Sequence, residues 1–114
     1  MKEDCIFCAI TKKTKPAEIV WEGNSIVAFK DMRPKAPVHL LIVPKKHVES
    51  IAGLAEEDRA MASDIIYAAK DIAASLALRG YRLSFNVGRE GGQAVDHLHM
   101  HFLGGWQNGV HGGE

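Results

Sequence analysis

Three histidines stand at alternate positions in His97-Leu98-His99-Met100-His101, and no other feature limits the chain so much. In an extended strand the side chains at i, i+2 and i+4 share a face, so these imidazoles are expected in a row about 6.6 Å apart. Leu98, Met100 and Phe102 then turn to the opposite, core-facing side. Two chemistries fit such a row. A His-x-His pair with a distant histidine can hold a catalytic zinc with an open water position. Alternatively, a neutral imidazole is a good nucleophile near pH 7. The glycine-rich Gly91-Gly92-Gln93 runs into the row, and glycines let backbone donors approach an anion closely. A phosphate facing His99 makes sense of both features.

Length and charge bound the rest. A chain of 114 residues has room for one core and one site, and residues 1–114 read as a single domain. Fourteen basic and fourteen acidic residues leave a formal net charge of zero, so neither nucleic acid nor an anionic membrane is expected as the main partner. Phosphate binding must be local. The longest aliphatic run, Leu40 to Val43, is far too short to span a bilayer, and the charged start Met1-Lys2-Glu3-Asp4 is not followed by a signal-peptide core. The expected location is the cytoplasm, where Cys5 and Cys8 would remain thiols.

The apolar pattern predicts an α+β fold. A short helix is expected from Cys5 to Lys13, strands at Glu18 to Trp21 and Ser25 to Asp31 around the turn Glu22-Gly23-Asn24, and a buried strand from Val38 to Val43. One long helix is expected from Glu56 to Leu78, with Met61, Ile65, Ile66, Ala69, Ile72 and Leu76 at helical spacing and Arg79-Gly80 as its stop. Tyr81 to Val87 and His97 to Leu103 complete a five-stranded antiparallel sheet, with both helices expected on one side of it.

The run from Gly91 to Gly105, centred on His97-Leu98-His99-Met100-His101, resembles the signature of the histidine triad (HIT) nucleotide-binding proteins. Ala28 to Asp31, Ala36 to His47 and Asn86-Val87-Gly88 resemble further family segments in family order. The resemblance implies a five-stranded fold that pairs as a homodimer. It implies a two-step displacement in which His99 takes the nucleotidyl group, its other ring nitrogen donating to a main-chain carbonyl of the same strand, while His39, His97 and His101 orient it and handle protons or phosphate oxygens. Nothing in the sequence chooses between His39 and His101 as the acid that protonates the leaving group. The resemblance further assigns Asp31 to the ribose hydroxyls, and Ile6, Phe7, Ile10, Phe29, Met32 and Leu41 to a nucleobase pocket. Asn86, Gly92 and Gln93 fall on the phosphate side, with the Gln93 amide as a donor.

The implied activity is hydrolysis of adenosine 5'-phosphoramidates to AMP and an amine, with no catalytic cofactor and a purine nucleotide as ligand. A dinucleoside polyphosphate hydrolase and a nucleotide-binding module of slight activity are the alternatives. Many relatives carry a hydroxyl residue directly after Gly-Gly-Gln, whereas this chain has Ala94. Cys5-Ile6-Phe7-Cys8 has zinc-ligand spacing, yet one pair is half a site and equally suits two buried apolar residues. By the resemblance, His47 and His97 complete a structural zinc set with Cys5 and Cys8. His111, in the tail, is given no role.

Overall fold

A computed structural model describes residues 4–107; His111 lies outside them. Helix α1 spans Ile6–Thr11, followed by strands β1 (Ile19–Glu22), β2 (Ile26–Lys30) and β3 (Val38–Pro44), helix α2 (Arg59–Ser75), and strands β4 (Tyr81–Phe85) and β5 (Met100–Gly104). The strands form one antiparallel sheet in the order β1-β2-β3-β5-β4. Among the described residues, no helix is long and apolar enough to cross a membrane.

β2 and β3 carry apolar residues on both faces, so both faces must be covered. Ile26, Ala28, Leu40 and Ile42 pack with Ile65, Ala69 and Ile72 of α2. Val27, Phe29, Leu41 and Val43 pack on the other side with Phe7 and Ile10 of α1. The helices therefore cover opposite faces, and the expectation that both lie on one side is corrected. Nearly continuous apolar strands bury both faces, whereas a sheet with helices on one side alone would alternate.

Boundaries also move, two of them for a visible physical reason. α2 ends at Ser75, short of Arg79-Gly80, because Ala77 adopts a left-handed conformation at φ 56°. The Leu78 and Ala77 amides then donate to the carbonyls of Ala73 and Ala74, at 3.0 and 3.1 Å, closing a Schellman motif without glycine. Of the expected core positions, Ile66 and Leu76 are exposed, while Ala68 and Ala73 are buried in their place. At the other boundary, β5 begins at Met100 rather than His97. The Leu98 amide donates to the Val48 carbonyl at 2.7 Å, drawing that stretch off the sheet ladder towards the segment after β3. Alternation survives the change, and Leu98, Met100 and Phe102 all enter the α2-side core.

Candidate active site and adjoining metal centre

The other face of the same stretch carries the histidines. A cavity of about 810 Å³ opens beside them, with His39, His99 and His101 in its wall. His39 comes from β3 and His101 from β5, and the sheet register sets Leu41 opposite His101 and Ser84 of β4 on His101's other side. Phe7, Ile10, Phe29 and Leu41 give the cavity an apolar end, with Ile6 half exposed and Met32 almost fully exposed at its rim. Asp31, Asn86 and Gly92 also line it.

Hydrogen bonds fix the protons. His99 Nδ1–H donates to the His97 carbonyl at 2.7 Å. The His99 lone pair is therefore on Nε2, and since no side-chain nitrogen among the described residues is buried without a partner, Nε2 opens onto the cavity. The Lys35 amide donates to His39 Nδ1 at 3.0 Å, which puts the proton of neutral His39 on Nε2. That nitrogen faces His101 Nδ1 at 3.1 Å and Asp31 Oδ2 at 3.3 Å. Both His39 nitrogens are thus held within the protein, and of the two acid candidates only His101 keeps a ring nitrogen, Nε2, for a ligand. Burial holds the pKa of His39 and of His101 below the ordinary histidine value, so both rings are neutral at pH 7.

His97 does not face the cavity. It is fully buried, its Nε2–H donates to the Pro44 carbonyl at 2.8 Å, and burial pushes its pKa down to about 4. Its Nδ1 lone pair points at Cys5 Sγ, 3.3 Å away, and at Cys8 Sγ, 3.5 Å away; Cys8 Sγ also lies 3.3 Å from His47 Nδ1. The four ligand atoms lie within 4.8 Å of one another. Sulfur–nitrogen edges in a tetrahedral Zn(Cys)2(His)2 site are about 3.6 Å, from bonds of about 2.3 and 2.05 Å, so the donor set fits zinc. The Pro44 carbonyl fixes the His97 tautomer as outer partners of metal-bound histidines do. Burial raises the Cys5 thiol pKa, a cost that a bound cation would reverse.

Three expectations change here. The His97 imidazole does not orient His99; its main-chain carbonyl does. Gln93 does not reach the ligand, because its Nε2 donates to the carbonyls of Glu49 at 2.6 Å and Val95 at 2.9 Å while Oε1 accepts from the Gly88 amide at 2.8 Å. It braces the glycine loop instead. The loop amides of Gly91, Gly92 and Gln93 are likewise spent on the carbonyls of Gly88 and Arg89, leaving none of the three for an anion. Asp31, His39 and His101 form a second group within metal-ligand distance, but metal at His39 Nε2 would require a proton on Nδ1, where the Lys35 amide already points. Ser84, the Lys35 amide and the Asp31–His39 contact were not anticipated. Strand alternation of Ser84 with Asn86 was the available signal for the first.

Comparison with known proteins places the chain in a family. A family model described as the C-terminal binding region of the scavenger mRNA decapping enzyme matches residues 4–111. A HIT-like protein of Synechocystis is 44% identical over 106 residues, covering 92% of this chain and 93% of the relative. The chain belongs to the histidine triad family. Protein HitA of Neisseria gonorrhoeae is 41% identical to this HIT protein over 103 residues, covering 90% of this chain and 96% of HitA. A solved HIT family hydrolase from Clostridium thermocellum superposes with a TM-score of 0.90 at 41% identity, over 96% of this chain and 97% of that one. A histidine triad protein from Clostridium difficile gives 0.91 at 36% identity, over 97% and 98%.

Proposed function

We propose that this HIT protein hydrolyses adenosine 5'-phosphoramidates, releasing AMP and an amine through a nucleotidyl-His99 intermediate. The observation that carries the reading is the 2.7 Å bond from His99 Nδ1–H to the His97 carbonyl, which presents a neutral Nε2 lone pair to the cavity. The base enters the apolar end formed by Phe7, Ile10, Phe29 and Leu41, and the ribose hydroxyls donate to Asp31. Ala94 and Val95 also line the cavity, and their amides, which have no acceptor among the described residues, are the candidates for a phosphate oxygen. His99 Nε2 then forms a bond to phosphorus as the P–N bond to the amine breaks, and the amine takes a proton from solvent water in the open cavity as it leaves. Water attacks the phosphorus in turn and gives up a proton to solvent, the P–N bond to His99 breaks with its electron pair returning to Nε2, and AMP departs. His101 Nε2–H donates to a phosphate oxygen as charge develops.

Rapid-quench intact mass spectrometry with an adenosine phosphoramidate tests the reading. An AMP-sized adduct mapping to His99 is expected, with turnover reduced at least ~1000-fold in His99→Ala. Turnover without an adduct would overturn covalent catalysis. Dinucleoside polyphosphates are the second reading, favoured by Lys15, Arg33 and Lys35 in the cavity wall. A kcat/KM for diadenosine tetraphosphate above that for the phosphoramidate would select it.

The proposal extends to a structural zinc on Cys5, Cys8, His47 and His97. Four protein ligands leave no water position, so the metal would tie α1 to the segment that carries His97 and His99 into β5 and supply stability, not chemistry. It extends also to a homodimer. β4 is an edge strand with Tyr81 and Leu83 exposed, and Ile66 and Tyr67 of α2 are exposed as well.

A further inference from the structure

The group of Asp31, His39 and His101 contains one proton with two acceptors. His39 carries it on Nε2, because the Lys35 amide occupies Nδ1 at 3.0 Å. Asp31 Oδ2 lies 3.3 Å from that nitrogen and His101 Nδ1 lies 3.1 Å from it. A single N–H is well aligned on one acceptor at a time. Asp31 cannot turn aside, since its other oxygen, Oδ1, accepts from the Arg33 amide at 2.8 Å. The outcome sets the state of His101. With His39 donating to its Nδ1, His101 must hold its own proton on Nε2, the nitrogen that opens onto the cavity. With His39 donating to Asp31, His101 loses that constraint.

We propose that His39 couples ribose recognition to the phosphate side of the cavity: ribose hydroxyls donating to Asp31 turn the His39 proton onto His101, fixing His101 with its Nε2–H towards the phosphate. The inference rests on the nucleotide reading above and gives it a selectivity, for ribonucleotides over analogues lacking the ribose hydroxyls. A carboxylate that gains hydroxyl donors competes less strongly for a third proton. The groups facing the pair keep both rings neutral: burial dominates at each, His99 and His39 add to it at His101, and Lys35 adds at both against the opposing pull of Asp31. Tautomers are therefore what the ligand selects. His39 acts through His101 and touches no reacting atom, which makes it a positioning residue.

Two measurements test the coupling. Nitrogen NMR of imidazole-labelled wild-type protein reads the His101 tautomer free, with AMP and with 2',3'-dideoxy-AMP. AMP is expected to lock the proton on Nε2, and the dideoxy compound to leave mixed tautomers. In parallel, removal of the ribose hydroxyls from an adenosine phosphoramidate is expected to lower kcat of the wild type about tenfold besides raising KM. In His39→Gln that kcat penalty should shrink to within about twofold while the KM effect persists. The same His101 tautomer in all three NMR samples would overturn the proposal, as would an equal kcat penalty in wild type and His39→Gln. A tautomer locked by AMP in a protein that turns over no phosphoramidate would instead overturn the proposed reaction and leave the coupling standing. The NMR arm needs no variant, so a misfolded His39→Gln does not remove the test.

Discussion

His99 owes its free Nε2 lone pair to a backbone atom. The His97 carbonyl takes its Nδ1 proton, the main-chain acceptor that the resemblance implied without naming its residue. The alternation of histidines was legible because a two-residue period is a local property. The turn of His97 towards Cys5 and Cys8 was not legible from that period, which treats the three rings alike; only the family resemblance implied it. Ala94 stands where the resemblance led to the expectation of a hydroxyl, and it lines the cavity. Ala94→Ser is expected to raise kcat for phosphoramidates about tenfold, the worth of one hydrogen bond of about 1.4 kcal/mol to the departing amine, read by steady-state kinetics. Unchanged kcat would place the leaving group elsewhere. Burial also has a pH consequence at His39 and His101. The folded state holds both neutral where the unfolded chain, with pKa about 6.5, takes up protons. Their contribution to stability is full above about pH 6.5 and is lost as pH falls below it. Urea midpoints should therefore drop between about pH 7.5 and 5.5, and less steeply in His39→Gln.

The elements were readable wherever the pattern was regular. β2, β3 and the body of α2 lie where their apolar spacing puts them, and the hairpin turn at Gly23 closes with its amide on the Ile26 carbonyl at 2.8 Å. What failed were the ends. The end of α2 depends on Ala77 accepting a conformation that costs an L-residue about 1–2 kcal/mol, and no sequence rule expects alanine there. Ala77→Gly removes that cost, partly offset by the freer unfolded chain, and should stabilise the protein by about 0.5–1 kcal/mol in thermal unfolding. A destabilised variant would mean that the alanine methyl contributes more packing than strain.

Across the molecule, the proposed zinc links three separate segments: α1, the turn holding His47, and the approach to β5. Removing it should act on the fold before it acts on the chemistry. Elemental analysis is expected to give about one zinc per chain, and Cys8→Ser should lose it together with roughly 10 °C or more of melting temperature, corresponding to a few kcal/mol. Activity that vanished on chelation while circular dichroism stayed native would refute a purely structural metal. At the same scale, sedimentation should show a dimer, and Leu83→Lys on the exposed β4 edge should shift it towards monomer.

The sequence by itself determined the elements whose evidence is periodic and local: three imidazoles on one face, a strand apolar on both, a long helix and a thiol pair at metal spacing. The tertiary structure decided everything that depends on which distant groups meet. Helices fell on opposite faces because both faces of β2 and β3 needed cover. Gln93 turned inward because the Glu49 and Val95 carbonyls needed donors. His39 went to Asp31 and His101 because a hydrogen bond is won or lost over a few tenths of an ångström, a distance set by the packed fold and not by spacing along the chain.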